Sequence, residues 1–99
     1  MADPLRFHPQ VVGDVREATQ WYDGISPELG DRFRIAVDGK LDSIEQFPDS
    51  FGMVDEPLRA AIVDGFPFLV IYEFRSDVTE ILGVFHSAAD PKKWRGRRS

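Results

Sequence analysis

Leu58–His86, LRAAIVDGFPFLVIYEFRSDVTEILGVFH, decides the fold. It holds three runs rich in β-branched and aromatic residues, Leu58–Val63, Phe66–Phe74 and Val78–His86, each of strand length. Asp64-Gly65 between the first two is a two-residue hairpin signal, and Arg75-Ser76-Asp77 between the second and third is a turn. Pro67 falls near the start of its run, where the lost donor is tolerated. The stretch therefore reads as an antiparallel meander. The apolar tract ends before Asp90-Pro91, since proline cannot donate to a ladder and restricts the residue ahead of it. On strict alternation His86, near the end of the third strand, shares a face with Glu80, Leu82 and Val84, and Glu80 marks that face as partly wet.

Upstream, Leu5-Arg6-Phe7-His8 alternates apolar and polar residues before Pro9 and predicts a short first strand at an edge of the sheet. From Pro9 to Asp23 the residues Val11, Val15, Ala18, Tyr22 and then Ile25 recur at helical spacing, with Gly24 expected to stop the helix. A second helix starts at Ser26 as N-cap, with Pro27 in the first turn and Glu28 near the positive end of the dipole. Leu29, Phe33, Val37, Leu41 and Ile44 carry its stripe until Pro48 closes it. The short connection around Gly24 makes the two helices a hairpin laid on the sheet, with Trp21 and Tyr22 near its tip expected to pack. Asp49–Pro57 has no period and reads as a loop. The predicted order is β-α-α-β-β-β, a helical hairpin packed on a mainly antiparallel sheet in one α+β domain spanning 1–99.

The 99 residues, 42% of them hydrophobic, suit one core. No apolar run is long enough to span a membrane and the first residues lack a signal pattern, so a soluble cytoplasmic protein without a membrane partner is expected. The chain has no cysteine, which removes disulfides and thiolate chemistry. The net charge of −5 argues against a polyanionic partner, but its distribution is uneven. Lys92, Lys93, Arg95, Arg97 and Arg98 crowd into the tail at 91–99, while all 17 acids lie at or before Asp90. Such a tail either meets an acidic partner or is a solvated terminus.

His8 and His86 have no ligand-spaced partners, so neither a metal site nor a cofactor is expected. No G-x-S-x-G elbow and no phosphate-cradling glycine loop occurs. What remains is a constellation of Arg59 and Tyr72 on adjacent strands, Arg75, His86, and the cluster Lys92, Lys93, Trp94 and Arg95. On one sheet face, an imidazole, a phenol and guanidinium groups could move protons and stabilise a pentavalent phosphate, the parts that metal-free RNA cleavage needs. Each also has a structural role open to it. Arg59 can pair with an acid, Tyr72 can be core, His86 can end its strand, and Trp94 can either stack on a base or anchor the tail.

Several short motifs run in order along nearly the whole chain. They are FHP at the start, Trp21-Tyr22, then Pro27, Leu29, Gly30 and Phe33 opening the second helix, Ile44, Phe47 and Pro48 closing it, and Arg59. Phe66-Pro67-Phe68 with Val70-Ile71-Tyr72 follows, and then Val84-Phe85-His86, Asp90-Pro91 and Trp94-Arg95. In this set the chain resembles the RelE/ParE superfamily of toxins from bacterial type II toxin–antitoxin, or plasmid stabilisation, systems. The resemblance implies two helices on a mainly antiparallel sheet and a cytoplasmic toxin neutralised by a cognate antitoxin that wraps around it in a hetero-oligomer. It carries over Arg59, His86, Trp94 and Arg95 as site residues. One branch of the family cleaves ribosome-bound messenger RNA without metal; the other poisons DNA gyrase. Asp49–Pro57 has no lysine, no tyrosine follows His86, and Ala89 stands where many relatives have arginine. These departures favour the ParE-like branch and a gyrase target over a messenger-RNA interferase, with Ala88-Ala89 also compatible with a weakened, partner-binding relic. In either case an antitoxin is expected to dock by strand addition at a sheet edge or by a helix in a groove.

Overall fold

A computed structural model describes residues 5–98. The elements in chain order are β1 (Arg6–Phe7), α1 (Val11–Ile25), α2 (Pro27–Gln46), β2 (Met53–Asp55), β3 (Leu58–Ile62), β4 (Phe68–Arg75), β5 (Val78–His86) and α3 (Pro91–Arg95). The five strands form one sheet in the order β1-β5-β4-β3-β2. β1 runs parallel to β5, and the remaining pairs are antiparallel. The α+β architecture and the meander follow the sequence pattern.

The hairpin connection is tighter than its glycine suggests. α1 continues through Gly24, and Ser26 alone joins the helices. Its extended backbone donates N–H to Tyr22 O (3.0 Å), ending α1, while its Oγ accepts from Leu29 N (3.2 Å), starting α2. One residue thus serves as C-cap and N-cap. The cost of Gly24, about 1 kcal/mol against alanine, is outweighed by packing of the last turn, where Tyr22 meets Phe33, Phe66 and Phe68 at ring separations of 5.2, 5.0 and 6.1 Å. Pro9 lies ahead of α1, and Gln10 occupies the N-cap.

Two turns also differ from expectation. The β3–β4 connection is longer than Asp64-Gly65, because Val63 N donates to Phe68 O (2.9 Å) and leaves Phe66-Pro67 in the loop, with Gly65 at φ 82°. Proline in the returning strand removes a ladder donor, which favours this arrangement. The Asp49–Pro57 loop contains β2, a three-residue edge strand at the margin of β3. The β4–β5 turn is Ser76-Asp77 as expected, both at positive φ (52° and 65°).

The helical hairpin covers one face of the sheet. Val11, Ala18, Phe33, Val37 and Ile44 pack there on Ala61, Val63, Val70, Tyr72, Ile81 and Val84. The other face is not bare. Leu58, Ile71, Leu82 and Phe85 form a second cluster, and Trp94 of α3 closes it. The tail is therefore folded rather than a solvated terminus. Asp90 accepts from Lys92 N (2.9 Å) and Pro91 takes the first helical position, so the residues expected to stop a strand start a helix.

β5 does not keep strict alternation. Tyr72 pairs with Ile81 and Ile71 with Gly83, which leaves Leu82 as the extra residue of a bulge. Side chains beyond it swap faces. Ile81 and Val84 both join the helix-side core, while Leu82 and Phe85 join the other. His86 consequently shares the helix side with Val84 and not with Glu80 or Leu82, contrary to the parity reading.

Candidate functional site

The bulge turns His86 into a groove of about 670 Å³ between α1 and the C-terminal segment. Phe68, Val84 and Phe85 form the floor. Asp14, Glu17, Gln20 and Trp21 of α1 make one wall, and Ala89, Lys93 and Arg97 make the other. The His86 ring stands edge-on to Phe68 at 5.3 Å. Its Nδ1 accepts the Ala88 N–H at 3.0 Å, so in the neutral ring the proton resides on Nε2. Trp21, expected to pack, is instead 69% exposed on the rim, whereas its neighbour Tyr22 is packed among aromatic rings. Burial raises the pKa of Tyr22 above its ordinary value. The groove thus joins an aromatic surface to a hydrogen-bond donor, an ammonium group and carboxylates, a lining suited to holding a polypeptide or a polar ligand.

The other expected site residues do not gather there. Tyr72 is fully buried, and its hydroxyl donates to Pro48 O at 2.6 Å. Burial pushes its pKa up to about 12; nearby Arg59 pulls it down in part and Asp49 adds to the rise. Arg59 Nη1 donates to Phe51 O (2.7 Å) and Asp49 O (3.3 Å). Together the two side chains tie down the loop after α2 through three carbonyl oxygens. They are neighbours across β3–β4, but His86 pairs with Phe68, four residues along β4 from Tyr72 and roughly 13 Å away at strand spacing. Arg75 projects on the opposite face of the sheet and pairs with Glu73 (2.8 Å). Arg59, Tyr72 and His86 thus share the helix-covered face of the sheet but are spread along it, and Arg75 lies on the opposite face.

The tail cluster is likewise divided. Trp94 is only 6% exposed and anchors the tail on the sheet, so it offers no stacking surface. Arg95 pairs with Asp55 at 2.6 Å and lies 5.6 Å from the Trp94 ring. Arg98 reaches Glu73 at 3.3 Å. Arg97, outside the expected set, forms a two-pronged pair with Asp14, with Nη2 to Oδ1 at 2.8 Å. Among the described residues Lys92 and Lys93 have no ion-pair partner, and Lys93 is the one that lines the groove. Among the described residues no group of three or more His, Asp or Glu is placed to hold a metal ion, and none of their helices is long and apolar enough to cross a membrane.

Neither a family model nor a curated protein matches this sequence. Among solved structures, a chain of the chromosomal ParDE TA system from P. aeruginosa superposes with a TM-score of 0.73, covering 83% of this chain and 92% of that one at 17% identity. The shared part takes in most of both chains, and the chain accordingly has the ParE-like fold.

Proposed function

We propose that this chain is the toxin component of a type II toxin–antitoxin system, acting in the cytoplasm by binding a macromolecular target and held in check by a cognate antitoxin. The observation that carries this reading is the fold shared with a chain of a ParDE TA system over most of both chains. Its target surface is the groove at His86 and Lys93 with the neighbouring Lys92 and the exposed Trp21.

DNA gyrase is the preferred target, and messenger-RNA cleavage the second reading. Favouring the first is the dispersal of the proton-moving and phosphate-stabilising groups. Tyr72 and Arg59 are engaged by backbone carbonyls, and Arg75 is on the far face. His86 in its Ala88-bonded tautomer presents Nε2 as a donor; a general base needs an unprotonated nitrogen there, so the bond to Ala88 opposes that role. Favouring the second is the meeting of His86 and Lys93 in one groove.

Expression of the chain alone in bacteria is expected to arrest growth, and co-expression of the neighbouring small open reading frame to relieve the arrest. Normal growth at good soluble expression removes the toxin reading. Given arrest, a supercoiling assay with purified gyrase is expected to show inhibition, lost on His86→Ala with Lys93→Ala. Intact supercoiling beside new messenger-RNA ends assigns the RNA branch instead.

A further inference from the structure

β5 has a strand neighbour on its outer side for only part of its length. β1 pairs with Glu80 and Ile81, and His8 N donates to Ile81 O (2.8 Å), but among the described residues no strand lies beside Leu82–His86 on that side. The open edge begins at Leu82, and Leu82–Phe85, LGVF, carries no charge and no proline. Such a segment on an edge pairs readily with a copy of itself. Two side chains meet it. Asp14 Oδ2 accepts from Val84 N at 3.0 Å, and Arg97 Nη1 donates to Leu82 O at 3.2 Å.

Asp14 and Arg97 are also bonded to each other, with side chains only 14% and 15% exposed. The Arg97 guanidinium lies over the Phe85 ring at 4.5 Å, and a Cβ on Gly83 would collide with both groups. One ion pair from the two ends of the chain thus bridges the edge, taking the donor and the acceptor that an added strand would use.

We propose that the Asp14–Arg97 pair is a guard on the β5 edge, and that opening it exposes a site at which a second copy of this chain pairs, β5 against β5. A second copy is the occupant because Leu82–Phe85 carries no charge and the two guarding charges cancel, so the opened edge selects no charged partner; the side chains are buried in the chain's own cores, and pairing rests on ladder hydrogen bonds that two antiparallel copies exchange. A two-fold axis lets each edge serve as donor and acceptor to the other. The inference stands apart from the toxin reading, since it concerns association of the purified chain.

Sedimentation velocity over a range of concentrations, with amide exchange at Val84, tests it. The unaltered protein is expected to stay monomeric. D14A/R97A is expected to double in mass as concentration rises, with the Val84 amide fast-exchanging when dilute and slow when concentrated. The conservative pair D14N/R97K, which keeps an acceptor for Val84 N–H and a donor for Leu82 O, is expected to return to the monomer. A folded D14A/R97A that remains monomeric at every concentration overturns the proposal, as does a D14N/R97K that associates like the double alanine. Should D14A/R97A fail to fold, D14A/R97M keeps an apolar stem over Phe85 while freeing both Val84 N and Leu82 O. Association of folded D14A/R97M supports the guard, and a strictly monomeric D14A/R97M overturns it.

Discussion

One face of the sheet is buried beneath helices of 15 and 20 residues, the other beneath a single five-residue helix. On the first face many apolar side chains from several elements share the burial, and the rings of Tyr22, Phe33, Phe66 and Phe68 interlock. On the second, Trp94 alone spans Leu58, Ile71, Leu82 and Phe85, and the tail arginines tie it to acids on α1, β2 and β4. By this difference in packing, the thick face is expected to unfold only with the whole molecule and the thin face to open locally. The difference also explains the fate of the basic tail. In a chain so rich in acids, most of its arginines serve to hold a short segment down rather than to face a partner.

Substitutions can break or sharpen this contrast. The largest effect is expected from Phe33→Ala, about 3–5 kcal/mol lost in denaturant unfolding, with protection lowered throughout the molecule. Trp94→Ala is expected to cost about 3 kcal/mol, the low end for a buried aromatic, because the short helix can move to fill the gap. Its exchange increase should be confined to β5 beyond the bulge and the C-terminal segment, and an equal loss of protection in α2 would erase the distinction between the faces. Tyr72→Phe is expected to cost about 1 kcal/mol, from the hydrogen bond to Pro48, and to loosen the loop after α2. It also has a pH signature. The phenol's pKa is raised to about 12 in the folded state against 10.0 for a free tyrosine, so its contribution is full below pH 10 and falls as pH rises towards 12. Alkaline melts of Tyr72→Phe should therefore lose less stability over that window than the unaltered protein. The smallest effect, under about 0.5 kcal/mol, is expected for Arg98→Ala, whose pair with Glu73 is partly exposed.

The fold was legible because its signals are local. Ser26-Pro27 marks a helix start, the β-branched and aromatic run of Phe66–Phe74 marks a strand, and Ser76-Asp77 marks a turn. Gly24 misled because propensity is a weak term that the packing of Tyr22 overrides. The site was much less legible. Alternation fails wherever one residue is inserted: the bulge at Leu82 moved His86 from the face of Glu80 and Leu82 to that of Tyr72 and Arg59, yet their separation along β4 keeps the three apart. Gly83, an isolated glycine in an otherwise β-branched and aromatic strand, was the available sign of it. Asp14 and Arg97 stand at opposite ends of the sequence, and no spacing rule joins them. Arg59 looked catalytic because its guanidinium lies on a strand, but its partners are loop carbonyls that leave no trace in the pattern of side chains.

Gly83 carries a further consequence for the history of such sequences. The volume that a methyl group would need there is already taken by the guanidinium of Arg97 and the ring of Phe85. Position 83 therefore competes with positions 85 and 97 for one space, and across related chains the three should vary together. Glycine at 83 should accompany phenylalanine at 85 and arginine at 97, a larger residue at 83 should require shorter ones at both, and alanine beside the phenylalanine and arginine should be the combination that selection discards.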